Sequence, residues 1–169
     1  MRRLRLLPIV LTLAWALWFG GLITLFLSVT SVFATFAPDR SLAGTAAAGI
    51  FQRFEVYQLV LAAIAVTAAA VWRASSAGPG RGTLLLVLLA LAAGTALTST
   101  LLVSSRIDDL RKSRLTDTPQ FRRLHGISMT VYTAEAALLG MAGLVLPGAL
   151  GFNGYRVLRG PPDTIVTDA

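Results

Sequence analysis

His125, Ser128, Tyr132 and Glu135 recur at helical spacing within one long apolar run, Leu124 to Leu146. At about 100° per residue they fall within roughly 80° of arc, so one helix face carries an imidazole, two hydroxyls and a carboxylate. Such a face can relay a proton or a cation, or line a pocket for a polar ligand. Leu138, Leu139, Leu144 and Val145 supply the apolar remainder. With a rise of about 1.5 Å per residue, Glu135 lies about 15 Å beyond His125, near the middle of a bilayer if His125 sits at its surface. A charge at that depth costs about 2.5–3.5 kcal/mol on insertion scales. The carboxylate is therefore expected to turn inward, as the centre of a polar intramembrane site. The plainer reading is a structural acid bonded to a hydroxyl or a tryptophan of a neighbouring helix.

A second concentration of polar groups, Gln52, Arg53, Glu55, Tyr57 and Gln58, stands at the start of the second apolar run. Arg53 and Glu55 are two apart and do not face each other on a helix, so each is expected to pair across helices. With four spans, this start, the start of the fourth run and the ends of the first and third share one side of the membrane. Gln52, Arg53, Glu55 and Arg122 should form a polar rim there, with His125, Ser31, Thr35 and Arg106 beside it. Ordinary interfacial anchoring is the alternative for these charges.

His125 could also ligate a haem or a metal ion, with Met129 four residues on. It is the sole histidine and there is no cysteine, so a monomer can build neither a multi-histidine nor a thiolate site. Met1, Met129 and Met141 are the only thioethers, which argues against a methionine-lined copper path. Phosphate-loop, HExxH, CxxC and GxSxG patterns are absent. The expectation is a non-enzymatic protein that handles a small solute, ion or lipid at a site around Glu135. The alternatives are a haem- or metal-binding protein using His125, and a scaffold or assembly subunit whose polar residues only hold helices together.

The elements that must position these side chains are membrane spans. Of the 169 residues 55% are hydrophobic and 14% charged, about half the charge of a soluble domain, and the mean hydropathy is +0.71. Four apolar segments, 6–33, 54–72, 83–103 and 124–146, approach or exceed the roughly 20 residues that span a bilayer. They predict an all-α bundle of four transmembrane helices over 1–148 and a polar, disordered tail over 149–169. The first segment has the basic start of a signal peptide, but its apolar stretch outruns the roughly 7–15 residues of a signal core, so it is read as a retained span.

Gly20, Thr24, Ser28, Ser31 and Thr35 make a small and hydroxylated stripe on the first helix, expected to pack against another helix, with Trp15 opposite and facing lipid. Ala136 and Gly140 form a small-xxx-small pair on the fourth. Ala77-Gly78-Pro79-Gly80-Arg81-Gly82 predicts a tight turn between the second and third spans. Ser41 is a candidate cap for a helix leading into the second span. Asp108 before Arg111 and Lys112 predicts a helical extension after the third. Asp117-Thr118-Pro119 reads as a cap followed by a first-turn proline, and Pro147-Gly148 as the end of the fourth helix.

The formal charge is +7, and of the 15 basic residues all but Lys112 are arginine. They flank apolar runs, so the partner they imply is anionic lipid headgroups, at about 1 kcal/mol per charge, and not nucleic acid. A homo-oligomer or another membrane protein is a further candidate partner. If the N-terminus is cytoplasmic, that side carries Arg2, Arg3, Arg5, Arg73, Arg81, Arg156 and Arg159. The other carries Arg40, Arg53, Arg106, Arg111, Lys112, Arg114, Arg122 and Arg123. The sides nearly balance, and the first helix usually dominates insertion. Both termini are therefore expected in the cytoplasm, with the protein multi-pass in a bacterial cytoplasmic membrane.

Three patches carry a resemblance: Trp18-Phe19-Gly20-Gly21, then Ala43-Gly44 with Gly49-Ile50-Phe51-Gln52-Arg53-Phe54, and Phe121-Arg122-Arg123-Leu124-His125-Gly126-Ile127-Ser128. Together, and with Pro38 after the first helix, they resemble the transmembrane protein 205-like family over roughly residues 10 to 147. The aromatic-x-Gly-Gly patch also resembles the copper-resistance D type of membrane domain. What the resemblance implies is an integral membrane protein with four spans. Metal-drug tolerance is linked to the eukaryotic members, and no binding residue carries over from them.

Overall fold

A computed structural model of the chain describes residues 2–75 and 80–151. The C-terminal tail from 152 onward, the Ala77-to-Pro79 part of the expected turn and the side chains of Arg2, Arg3 and Arg5 lie outside the described residues. Four rods make up the fold: α1 (Arg2–Thr35), α2 (Arg40–Ser75), a third rod and α5 (Pro119–Ala149). The third rod joins α3 (Arg81–Thr98), a π-helical stretch (Ser99–Ser104) and α4 (Ser105–Lys112). All four are long and apolar enough to cross a membrane, which makes the chain a multi-pass membrane protein.

Helix starts follow from local chemistry. The Asp39 carboxylate accepts the Leu42 N–H at 2.9 Å, so Asp39 caps α2 in place of the expected Ser41. From a cap, a carboxylate reaches the N–H three residues on, whereas Ser41 already lies in the first turn. α2 thus begins 14 residues before the expected span. Thr118 caps α5, its hydroxyl accepting the Phe121 N–H at 3.3 Å with Pro119 in the first turn. Pro147 falls inside the last turn, and α5 runs on to Ala149. Gly80, at φ 139°, takes a backbone conformation that a Cβ disfavours, and Arg73 Nε donates to Thr83 Oγ1 at 2.7 Å across the α2–α3 hairpin.

The rods pack as a square. α1 lies on α2 and α5, and the third rod lies on α2 and α5 in turn. Inside are large aliphatics and closely approaching alanines: Leu11, Leu22, Leu85, Leu89 and Leu139 with Ala65, Ala92, Ala96 and Ala142. Outside the pattern stays apolar. Only 22–44% of each span's most apolar window is buried, and Leu144 is 85% exposed, a surface suited to lipid.

The structure turns α1 differently from the sequence expectation. Gly20, Thr24, Ser31 and Thr35 are exposed and only Ser28 is half-buried; the inward face is Leu11, Ala14, Trp18, Leu22 and Leu25. The hydroxyls need no neighbour, because Thr24 donates to the Gly20 carbonyl at 2.8 Å and Ser31 to the Leu27 carbonyl at 2.9 Å. Trp15 does not face lipid. Its indole N–H donates to the Leu139 carbonyl at 2.8 Å, and its ring stacks on Phe19. An indole N–H has no acceptor in hydrocarbon, so α5 supplies one.

Gly143 makes that contact feasible. A Cβ there would run into the Trp15 ring, a rigid bicycle that cannot yield like the tip of a flexible chain. Gly143→Ala should therefore lower thermal stability in detergent by about 1–3 kcal/mol, the usual cost of overpacking. Gly20→Ala is the control, since nothing lies within 4 Å of its Cβ position. Equal melting of the two variants would show that the Trp15–Gly143 contact is not a constraint.

Candidate functional site

The polar side chains of the bundle form three levels. At the open end, where α4 projects beside the early part of α2, Gln52 Nε2 donates to Asp108 Oδ2 at 2.8 Å. Arg111 bridges the other Asp108 oxygen at 2.9 Å. Arg53, Arg106 and Arg122 are exposed on the outer surface. The rim thus centres on Asp108, with Gln52 as the residue from the expected set that joins it.

One turn deeper sits Glu55, 7% exposed. Its Oε1 accepts from the Ser104 hydroxyl and, at 3.2 Å, from the Tyr132 hydroxyl. Glu55 therefore belongs to the interior more than to the rim. The Tyr132 ring is tilted against Phe51, centroids 5.5 Å apart, and its hydroxyl adjoins Ser99.

Deepest is Glu135, with no exposure. Trp18 Nε1 donates to its Oε1 at 2.9 Å, and Oε2 has no partner. Gln58, also fully buried, lacks partners on both amide atoms, as do the hydroxyls of Ser99 and Thr100. Gln58 follows Glu55 as Glu135 follows Tyr132, by three residues, so the amide and the acid stand at about the same depth. Unmet polar groups in hydrocarbon are costly, and Glu135 Oε2 and both amide atoms of Gln58 are unmet at about the same depth.

The π-helical stretch explains how the third rod contributes. In an α-helix, Ser99 and Ser104 would point about 140° apart at 100° per residue. In a π-helix the backbone pairs residues five apart, which stacks the two serines on one face toward Glu55 and Tyr132.

Of the four residues expected on α5, the structure brings together Ser128, Tyr132 and Glu135, all buried. His125 is apart from them. It is exposed and stacks in parallel on Phe121, and Met129 is 40% exposed. The arc places His125 at its edge, and at the helix start no neighbour covers it. Among the described residues no three His, Cys, Asp or Glu side chains gather as a metal site. Trp18, Gln58, Ser99 and Ser104 complete the cluster. For Gln58 a signal existed: an amide one turn after Glu55 on the same face, carried into an apolar run.

A four-span bundle with a polar seam on one side of its core is the class defined by this geometry. The chain belongs to the family described as a domain of unknown function (DUF4149), whose model matches residues 13–116. Trp18, Glu55, Gln58, Ser99 and Ser104 lie inside the matched stretch, and Tyr132 and Glu135 follow it. No curated protein and no solved structure matches the chain.

The Trp18–Glu135 hydrogen bond yields a thermodynamic test. Trp18→Phe should cost about 1–3 kcal/mol by stranding a buried acid. Adding Glu135→Leu should recover part of that loss, because the stranded group is gone. A double variant less stable than the single one, by thermal melting in the same detergent, would contradict the pairing.

Proposed function

We propose that this membrane protein holds an exchangeable proton or small cation at Glu135, within the polar layer of the bundle. The observation that carries the reading is the unpartnered Oε2 of the fully buried Glu135, with the fully buried Gln58 amide also unpartnered at about the same depth. Two buried carboxylates disfavour an anion. Oxygen donors and the absence of cysteine favour a hard cation or a proton over a soft metal. Under this reading the protein sits in a bacterial cytoplasmic membrane with both termini inside, and its polar rim faces away from the cytoplasm. Kinship with the transmembrane protein 205-like family is part of the same proposal. It rests on the three sequence patches, the first of which contains Trp18, the donor to Glu135.

A structural reading has one observation in its favour. The indoles of Trp15, Trp18 and Trp72 all donate to α5, at Leu139 O, Glu135 Oε1 and Ala149 O, as they would in a scaffold whose polar groups serve only to clamp helices.

Dicyclohexylcarbodiimide separates the two, because this apolar reagent modifies protonated carboxyl groups in hydrocarbon. The protein in liposomes should be labelled at Glu135, with the label lost as pH rises or as sodium or potassium is added. Glu135→Gln should lose the label while keeping the wild-type melting temperature. A Glu135 that never labels, or labels equally at every pH and salt concentration, would mean a structural acid.

A further inference from the structure

The buried polar groups are distributed unequally along the bundle. Among the described residues, the buried polar side chains are Glu55, Gln58, Ser99, Ser128 and Glu135. All lie between the rim and the depth of Glu135. Past Glu135, toward the ends where α1 begins and α5 finishes, the interior is hydrocarbon: Leu11, Ala65, Leu85, Leu89, Ala142 and Leu146 are buried there. The core is thus polar on one half and closed on the other.

We infer that Glu55 and Tyr132 form a one-sided proton path from the Asp108 rim to Glu135. The inference rests on the reading of Glu135 as an exchangeable site and narrows its ion to the proton. Ser104, Glu55 and Tyr132 are hydrogen-bonded directly, and Tyr132 is 1% exposed, so no lumen admits a hydrated ion. A proton needs none.

The step balances without a co-reactant. Glu55 takes a proton at the rim side; the Tyr132 hydroxyl, which donates to Glu55 Oε1 in the structure, turns inward and accepts that proton on its oxygen. Tyr132 releases its own phenolic proton inward, past Ser99, and the Glu135 carboxylate receives it at Oε2. Tyr132 is restored, and Glu55 is left ionised for the next proton. Near these groups the other titratable side chain is Asp108 on α4, itself bridged to Arg111. The facing halves of α1 and the third rod, residues 18–35 and 92–104, contain no titratable residue. Arg53 and Tyr57 on α2 and Arg122, Arg123 and His125 on α5 are exposed.

The test uses liposomes in which the full chain has a single orientation, with an impermeant buffer setting pH on one side at a time. Carbodiimide labelling of Glu135 reads its protonation. Raising pH on the rim side should remove the label, and raising it on the opposite side should leave the label unchanged. Tyr132→Phe should slow the rim-side response by an order of magnitude or more, as loss of a relay group does. Glu55→Gln, which keeps an acceptor for Ser104 and Tyr132, should slow it likewise at unchanged melting temperature. If either variant fails to fold, the other interrupts the same path.

Equal responses from both sides, or unslowed responses in both variants, would overturn the path while leaving Glu135 an exchangeable site. Protection of Glu135 by sodium or potassium at constant pH would overturn the assignment to protons alone. A Glu135 that answers to neither side would overturn the path together with the reading beneath it.

Discussion

The hydrogen bond from Trp18 to Glu135 joins the first helix to the last across 117 residues of sequence. In water either group could find another partner. In hydrocarbon neither can, so the choice of neighbour for α1 and the rotation of α5 are settled together. Trp15 repeats the device one turn along, on the Leu139 carbonyl, and Gly143 leaves the space that its ring occupies. Trp72 ties the far end of α2 to the last residue of α5. The three tryptophans of the chain all act on α5 in this way, and the rest of the packing is built around a helix held by its polar bonds.

Lipid provides little drive for one helix to leave it for another, since acyl chains are as apolar as leucine. The bundle accordingly relies on close approach and on buried polar bonds. Alanines fill the inner faces of α2 and α3, and Gly21 lets α1 come within van der Waals reach of Phe54 and Tyr57. Exposed serines and threonines bond their own helix backbone and so can face lipid. In the interior, by contrast, atoms of Gln58, Ser99, Thr100 and Glu135 have no hydrogen-bond partner.

Much of the architecture was legible in the chain. Hydropathy marked four spans because a bilayer demands long uninterrupted apolar runs, and the helical period placed Ser128, Tyr132 and Glu135 on one buried face. Thr118-Pro119 announced the start of α5 through cap chemistry that acts over three residues. Readings that depended on which helix stands opposite fared less well. The stripe around Thr24 looked like a packing face and lies outside, and Trp15 looked lipid-facing and lies against α5.

Four membrane crossings and an acid too deep to be left in lipid can be read along the chain, because hydrophobicity and helical period are local properties. The partners of that acid and the depth of Glu55 came from packing, because they depend on residues brought together from separate rods. The π-helical stretch shows the limit most plainly. At 3.6 residues per turn Ser99 and Ser104 point about 140° apart, and the π-helical backbone of Ser99–Ser104 brings them toward one face.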